Sequence, residues 1–365
     1  MADGPSEQFS WKLQGVVYGT AFFNGTVHSM ASLVVALLVA GLVSTTSPFL
    51  IALILASRQI LTVTMSIYGG ALMDRYGTRR VVIMFGLSGV VTALVYPVLP
   101  VAFGLDPAST TLTAPGWAFV SAIVLLQMVS GYAEGTIWIG SQALTALLLK
   151  GHPVYAGRMT FVARSGGILG LPAVGAAWDL WGAWGGFGML SLWILCGVIA
   201  ALFLPKTGSD AAQSGKNQVQ PAAPEQTMPV ASDYAKTFRM LLIPAVAMVI
   251  MLTVMRQTGS GMQGSFYVVW LDKEIGLSGT LIGALLSAAS ATSAVSALMT
   301  GPMARRFTTH WSLIFAIGLS IIGISITPML GDFYVLLIIA ICARGQQKLQ
   351  STVDELCSVA PMAWG

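Results

Sequence analysis

Residues 69–80 read Gly69-Gly70-Ala71-Leu72-Met73-Asp74-Arg75-Tyr76-Gly77-Thr78-Arg79-Arg80. Four of the twelve are charged, in a chain of 365 residues that holds only 18 Lys+Arg and 14 Asp+Glu. On either side lie apolar runs, near 48–70 and 80–103, each long enough as helix to cross about 30 Å of hydrocarbon. A charged turn between two such helices must sit in water or among headgroups, because an ionised side chain at mid-bilayer costs at least about 2.5–3.5 kcal/mol. The stretch reads as a tight loop at a membrane face, and the chain around it as a polytopic helical membrane protein.

The composition agrees. Charged residues make up 9% of the chain, against roughly 25% in an ordinary soluble domain. Apolar residues make up 55%, glycine contributes 40 residues, and mean hydropathy is +0.78. A soluble fold cannot cover its surface with so few charges, and disorder needs the opposite composition. Further apolar stretches lie near 14–43, 117–147, 159–179 and 183–204, then after a polar gap near 239–271, 278–300 and 311–330. A tenth starts at Phe333 and keeps its character only to Ala343. Eleven residues rise about 16 Å as helix, roughly half a bilayer. Residues 1–11 are polar, and the apolar run after Lys12 is too long and glycine-rich for a signal-peptide core, so the first segment is read as retained.

Basic residues set the orientation. With the N-terminus inside, Lys12, Arg75, Arg79, Arg80, Lys150, Arg158, Lys206, Lys216, Lys236, Arg239, Arg305, Arg306 and Lys348 fall on the cytoplasmic side, and only Lys273 outside. Arg58, Arg164, Arg256 and Arg344 lie within apolar segments. The net charge of +4 is this positive-inside bias; the expected surroundings are a lipid bilayer, and no nucleic acid is needed. The short N-terminus and modest central loop point to an integral plasma-membrane protein of a bacterial inner membrane, N-terminus cytoplasmic, and a monomer is expected. Cys196 and Cys342 lie in apolar segments and Cys357 in the tail, so no disulfide framework is implied. No metal-ligand spacing, phosphate loop or nucleophile constellation appears, so no cofactor is expected and an enzyme is disfavoured.

The segment from Pro205 to Thr237 holds Lys, Asp, Ser, Gln and Pro without helical period and reads as a flexible connector. The expected layout is a cytoplasmic N-terminus at 1–13, a six-helix bundle at 14–204, a cytoplasmic linker at 205–238, an incomplete second bundle at 239–344 with three full spans and part of a fourth, and a tail at 345–365. Two helix bundles joined by a cytoplasmic loop is the layout of a secondary transporter. An internal repeat supports it. The eighth apolar segment ends in Gly301-Pro302-Met303-Ala304-Arg305-Arg306-Phe307, which, like residues 69–80, places a glycine before a basic turn after the second span of its half. In this copy Arg305 stands where Asp74 would be, and Thr308 replaces Gly77.

GGALMDRYGTRR resembles the loop 2–3 signature of the major facilitator superfamily: a glycine, an Asp-Arg-aromatic-Gly step, then paired basic residues. Gln127-Met128-Val129-Ser130-Gly131 is similar to the family's Arg-x-x-x-Gly in the fourth span, with Gln127 in place of the arginine. Gly166 to Gly175 resembles the family's antiporter signature Gly-x-x-x-Gly-Pro-x-x-Gly, with one residue inserted before Pro172. The resemblance covers about residues 14–344 and implies an all-α, polytopic two-bundle fold with an incomplete C-terminal bundle. It also implies that Asp74, Arg75, Arg79 and Arg80, with Gly70 and Gly77, latch the outward-facing state on the inner side. The glycines would let helix two pack tightly and let the loop turn with positive φ. The competing reading is that the arginines only set topology in the anionic headgroup layer.

Candidate cavity residues come from polar spacing within the spans. Thr20, Asn24, His28 and Ser32 recur every four residues along the first, which places them on one helix face. Arg58, Thr62 and Ser66 do the same along the second, and Gln127, Ser130, Glu134, Trp138 and Ser141 follow three- and four-residue steps along the fourth. Arg58 lies ten residues into its span, about 15 Å deep, and cannot easily snorkel. Glu134 is expected either as a protonatable carboxylate with Arg58 as counter-charge or anion ligand, or as half of a structural ion pair. His28 is either a proton or substrate contact or a packing residue. In span seven, Arg256-Gln257-Thr258-Gly259-Ser260-Gly261-Met262-Gln263-Gly264 interrupts the apolar run, which suggests a broken helix with Arg256 and Gln263 facing a cavity. Arg164 is expected to snorkel to the inner face, and the glycines and alanines of spans five and eight to be close-packing positions.

The expected function is secondary transport of a small organic solute, anionic or amphipathic, with proton coupling through Glu134. The alternative is a non-transporting membrane protein, either a regulatory partner or a truncated product whose tail after residue 345 arises from a frameshift.

Overall fold

The computed structural model describes residues 10–43, 48–105, 116–148, 153–205, 247, 251, 266–306 (296–306 by backbone only) and 333–337. Among the described residues six long helices occur: α1 (Trp11–Val43), α2 (Pro48–Tyr76), α3 (Thr78–Ala102), α4 (Trp117–Leu148), α5 (Pro153–Leu202) and α6 (Gly279–Arg306). A shorter helical segment at 266–273 precedes α6, and no strand occurs among the described residues. Five of the six, α1 to α5, are long and apolar enough to cross a membrane.

Helix α1 is the centre of the assembly. Every residue from Leu33 to Ala40 is at most 3% exposed, the pattern of a helix apolar on all sides and surrounded by neighbours. It packs against α5, α4 and α2, while α3 closes on α4 and α5.

A single residue joins α2 to α3. Gly77 has φ 85 and ψ 134; its N–H donates to the Met73 carbonyl at 3.0 Å, and its own carbonyl accepts from Val81 N–H at 3.2 Å. A side chain would be strained at this φ, so the positive-φ expectation for the loop holds at Gly77. Gly70 behaves differently. A Cβ there would meet nothing within 4 Å, and it is Gly69 that faces α4, next to Thr136.

The fifth and sixth apolar segments form one element. The 50 residues of α5 fold back at Trp181 (φ −132) and Gly182 (φ 58), so two residues replace a loop. The limbs then run side by side. A Cβ on Gly185 would overlap the Ala177 carbonyl, and one on Gly170 would lie 3.2 Å from the Trp193 ring.

Helix α6 packs along the first limb of α5 through small residues, which let backbones approach closely. A Cβ on Gly175 would overlap the Gly279 carbonyl, one on Gly283 would overlap the Leu171 carbonyl, and one on Gly167 would lie 2.9 Å from Ser290 Oγ. The linker after Pro205, the ninth span, most of the seventh and tenth spans, and the tail lie outside the described residues.

Candidate functional site

The deepest charges of the described chain meet between α1, α2 and α4. The α2 backbone crosses α4 at Gly131, where any Cβ would collide with the Arg58 carbonyl and its Cγ. This close crossing brings the Arg58 guanidinium onto Glu134, one turn further along α4. Arg58 Nη2 donates to Glu134 Oε2, and both side chains are almost fully buried. Arg58 Nη1 also donates to Ser32 Oγ of α1 at 3.0 Å, and Nη2 lies 3.5 Å from the His28 carbonyl. The other carboxylate oxygen, Glu134 Oε1, accepts from Ser130 Oγ at 3.0 Å. A charge pair removed from water needs this kind of added hydrogen bonding to offset its desolvation.

His28 borders the pair from the open side. Its Nδ1 is 3.6 Å from Glu134 Oε2, and its side chain is 59% exposed where that of Glu134 is 3% exposed. Two buried donors, Arg58 Nε and Gln127 Nε2, have no partner among the described residues.

The other candidates are distributed around this cluster. Gln127 Oε1 accepts from Tyr96 OH of α3 at 3.0 Å, and the Tyr96 ring stacks on Phe187 at 4.8 Å. Asn24 donates to Ser141 Oγ at 2.9 Å and is buried, forming a second α1–α4 polar contact. Trp138 packs beside Ala21, Met159 and Ala163. Arg256 and Gln263 lie outside the described residues. In the loop after α2, Asp74, Arg75 and Arg80 are exposed, and Arg75 lies over the Tyr76 ring at 5.5 Å. Arg79 instead reaches the end of α5, where Nε donates to the Ala201 carbonyl at 3.3 Å and Nη2 to the Leu202 carbonyl at 2.6 Å. A cation on the last carbonyls of a helix satisfies otherwise orphaned acceptors.

Two residues of note carry little signal in the sequence. Tyr96 is one aromatic among many in an apolar span. Asp179 is a single acid at the end of one, yet it bonds residues a hundred positions later.

The sequence profile of the Major Facilitator Superfamily matches residues 17–345 of the chain. Among solved structures, the chain is similar to a D-xylose–proton symporter (16% identity, TM-score 0.54, covering 94% of this chain and 80% of that one). It is also similar to the xylose transporter XylE from E. coli in two conformations. The partially occluded inward-open form gives 14% identity and TM-score 0.61, covering 94% of this chain and 91% of that one. The inward-open form gives 16% identity and TM-score 0.59, covering 93% and 79%. At these identities the likeness concerns the fold. No curated protein sequence matches.

Proposed function

The chain belongs to the Major Facilitator Superfamily of secondary transporters, and from that membership we propose that it moves a small organic solute by alternating access, driven by protons that bind Glu134. In this reading the protein lies in a bacterial inner membrane with its N-terminus in the cytoplasm, and its solute carries an anionic group.

The observation that carries the reading is the buried Arg58–Glu134 pair with the half-exposed His28 3.6 Å from the carboxylate. Of the three, His28 has the most exposed side chain, and in this reading the proton reaches Glu134 past its imidazole. Protonation removes the counter-charge of Arg58, and a lone buried cation is costly: removing one partner of such a pair typically costs about 3–5 kcal/mol. An anionic group of the solute then restores neutrality at Arg58. One proton and one anion therefore bind together, and neither is accommodated well alone. That interdependence is what coupling requires.

Glu134→Gln mimics the protonated carboxyl permanently. In proteoliposomes this variant is expected to lose proton-driven solute accumulation while retaining counterflow exchange. Unchanged proton-driven accumulation would remove Glu134 from the coupling step.

A further inference from the structure

The first turn of α6 is held by a carboxylate from another part of the chain. Asp179 Oδ1 accepts from Gly279 N–H at 2.8 Å, and Oδ2 accepts from Thr280 N–H at 2.8 Å and from Thr280 Oγ at 2.6 Å. The opening N–H groups of a helix have no partner within it, and an anion there also suits the helix dipole. Such caps normally come from the residue just before the helix; here Ser278 Oγ accepts from Leu281 N–H at a long 3.4 Å and its hydroxyl also bonds to Asp179. The main cap comes from the end of the first limb of α5.

Deeper along the same seam, a second backbone group is satisfied across it. Pro172 has no N–H, so the carbonyl four residues earlier, on Ile168, loses its helical donor. Ser287 Oγ of α6 donates to that carbonyl at 2.8 Å. Ser287 is buried, and Ile168 lies about 16 Å below Asp179 along the limb. Inside the hydrocarbon layer, parting this bond leaves the Ile168 carbonyl without its partner. At Asp179, which is exposed, water can take over each partner. The seam can therefore open at one end and not at the other.

We propose that Asp179 is the outer-face latch of the transport cycle, a carboxylate that holds α6 against α5 when the outer side is closed and releases Gly279 and Thr280 when it opens. The Ser287–Ile168 bond and the glycine contacts beside it are the pivot. This rests on the alternating-access reading but not on proton coupling through Glu134.

The test uses His28→Cys as a reporter, with Cys196, Cys342 and Cys357 replaced by alanine, and a membrane-impermeant maleimide added outside intact cells without solute. Asp179→Ala is expected to raise the labelling rate at least about tenfold, a ratio equivalent to ~1.4 kcal/mol, and Asp179→Asn, which keeps one acceptor, by less. Ser287→Ala is expected to leave the rate unchanged. Gly175→Phe, which wedges the seam apart, serves as the positive control. Fast labelling in Gly175→Phe with wild-type labelling in Asp179→Ala overturns the latch. Equal acceleration by Asp179→Ala and Ser287→Ala also overturns it, because loosening anywhere would then suffice. If no variant, Gly175→Phe included, is labelled from outside, the alternating-access reading fails and the latch with it.

Discussion

Arg58 holds three acceptors with one guanidinium: Glu134, Ser32 and the His28 carbonyl. Arg58→Ala strands the Glu134 carboxylate in the interior, and a loss of about 3–5 kcal/mol is expected. Arg58→Met combined with Glu134→Gln leaves no buried charge and should recover most of that loss. Thermal unfolding of the purified proteins in detergent measures both. That these two residues lie deep in apolar segments was legible in the sequence, since ionisable groups there stand out. Their contact was not, because it depends on α2 and α4 crossing at Gly131. The polar ladder of α1 shows a second limit. Four-residue steps advance about 40° around a helix, so Thr20 to Ser32 turns through about 120°. The four residues accordingly meet different partners: Thr20 its own helix at the Val16 carbonyl, Asn24 the α4 hydroxyl of Ser141, His28 the open space, and Ser32 the Arg58 guanidinium.

At the level of helices, glycines separate into those that set a crossing and those that do not. Gly131→Ala forces a Cβ into the Arg58 backbone, and overpacking of this kind costs about 1–3 kcal/mol. Gly70→Ala meets only open space, so it is expected to be neutral or to stabilise by up to about 1 kcal/mol through helix propensity. Midpoints of thermal unfolding for the two variants should therefore move in opposite directions or differ clearly. The apolar pattern alone located α1 to α4 and both limbs of α5, missing the end of α2 and the start of α5 by six residues each. It also marked spans five and eight as close-packing. What it could not give was their pairing with each other, because a small residue records that something comes near without recording what. The two-residue turn at Trp181 and Gly182 was equally silent, since its residues resemble the apolar stretches they join.

Across the whole molecule, charge carries the information about sides. With the N-terminus inside, thirteen basic residues would lie on the cytoplasmic face and only Lys273 outside, a bias that predicts a fixed orientation. A cysteine at Lys273 is expected to react with an impermeant maleimide in intact cells, and one at Arg80 only after permeabilisation. The reverse pattern would invert every assignment of inner and outer face. Apolar content likewise announced a polytopic helical membrane protein before any contact was visible. The contact between Asp179 and α6 is of another kind, as it joins residues a hundred positions apart at the exposed end of a helix. No local pattern encodes such a meeting; it exists only once the helices are packed.

The hairpin of α5 has one more consequence. Near the turn, the first limb carries Asp179, bound to the start of α6. At the far end of the second limb, the Ala201 and Leu202 carbonyls are gripped by Arg79. Because only Trp181 and Gly182 separate the limbs, there is too little slack for one to slide while the other stays still. The hairpin is a stiff strut with a handle at each side of the membrane, and a displacement at one handle is delivered to the other through covalent geometry.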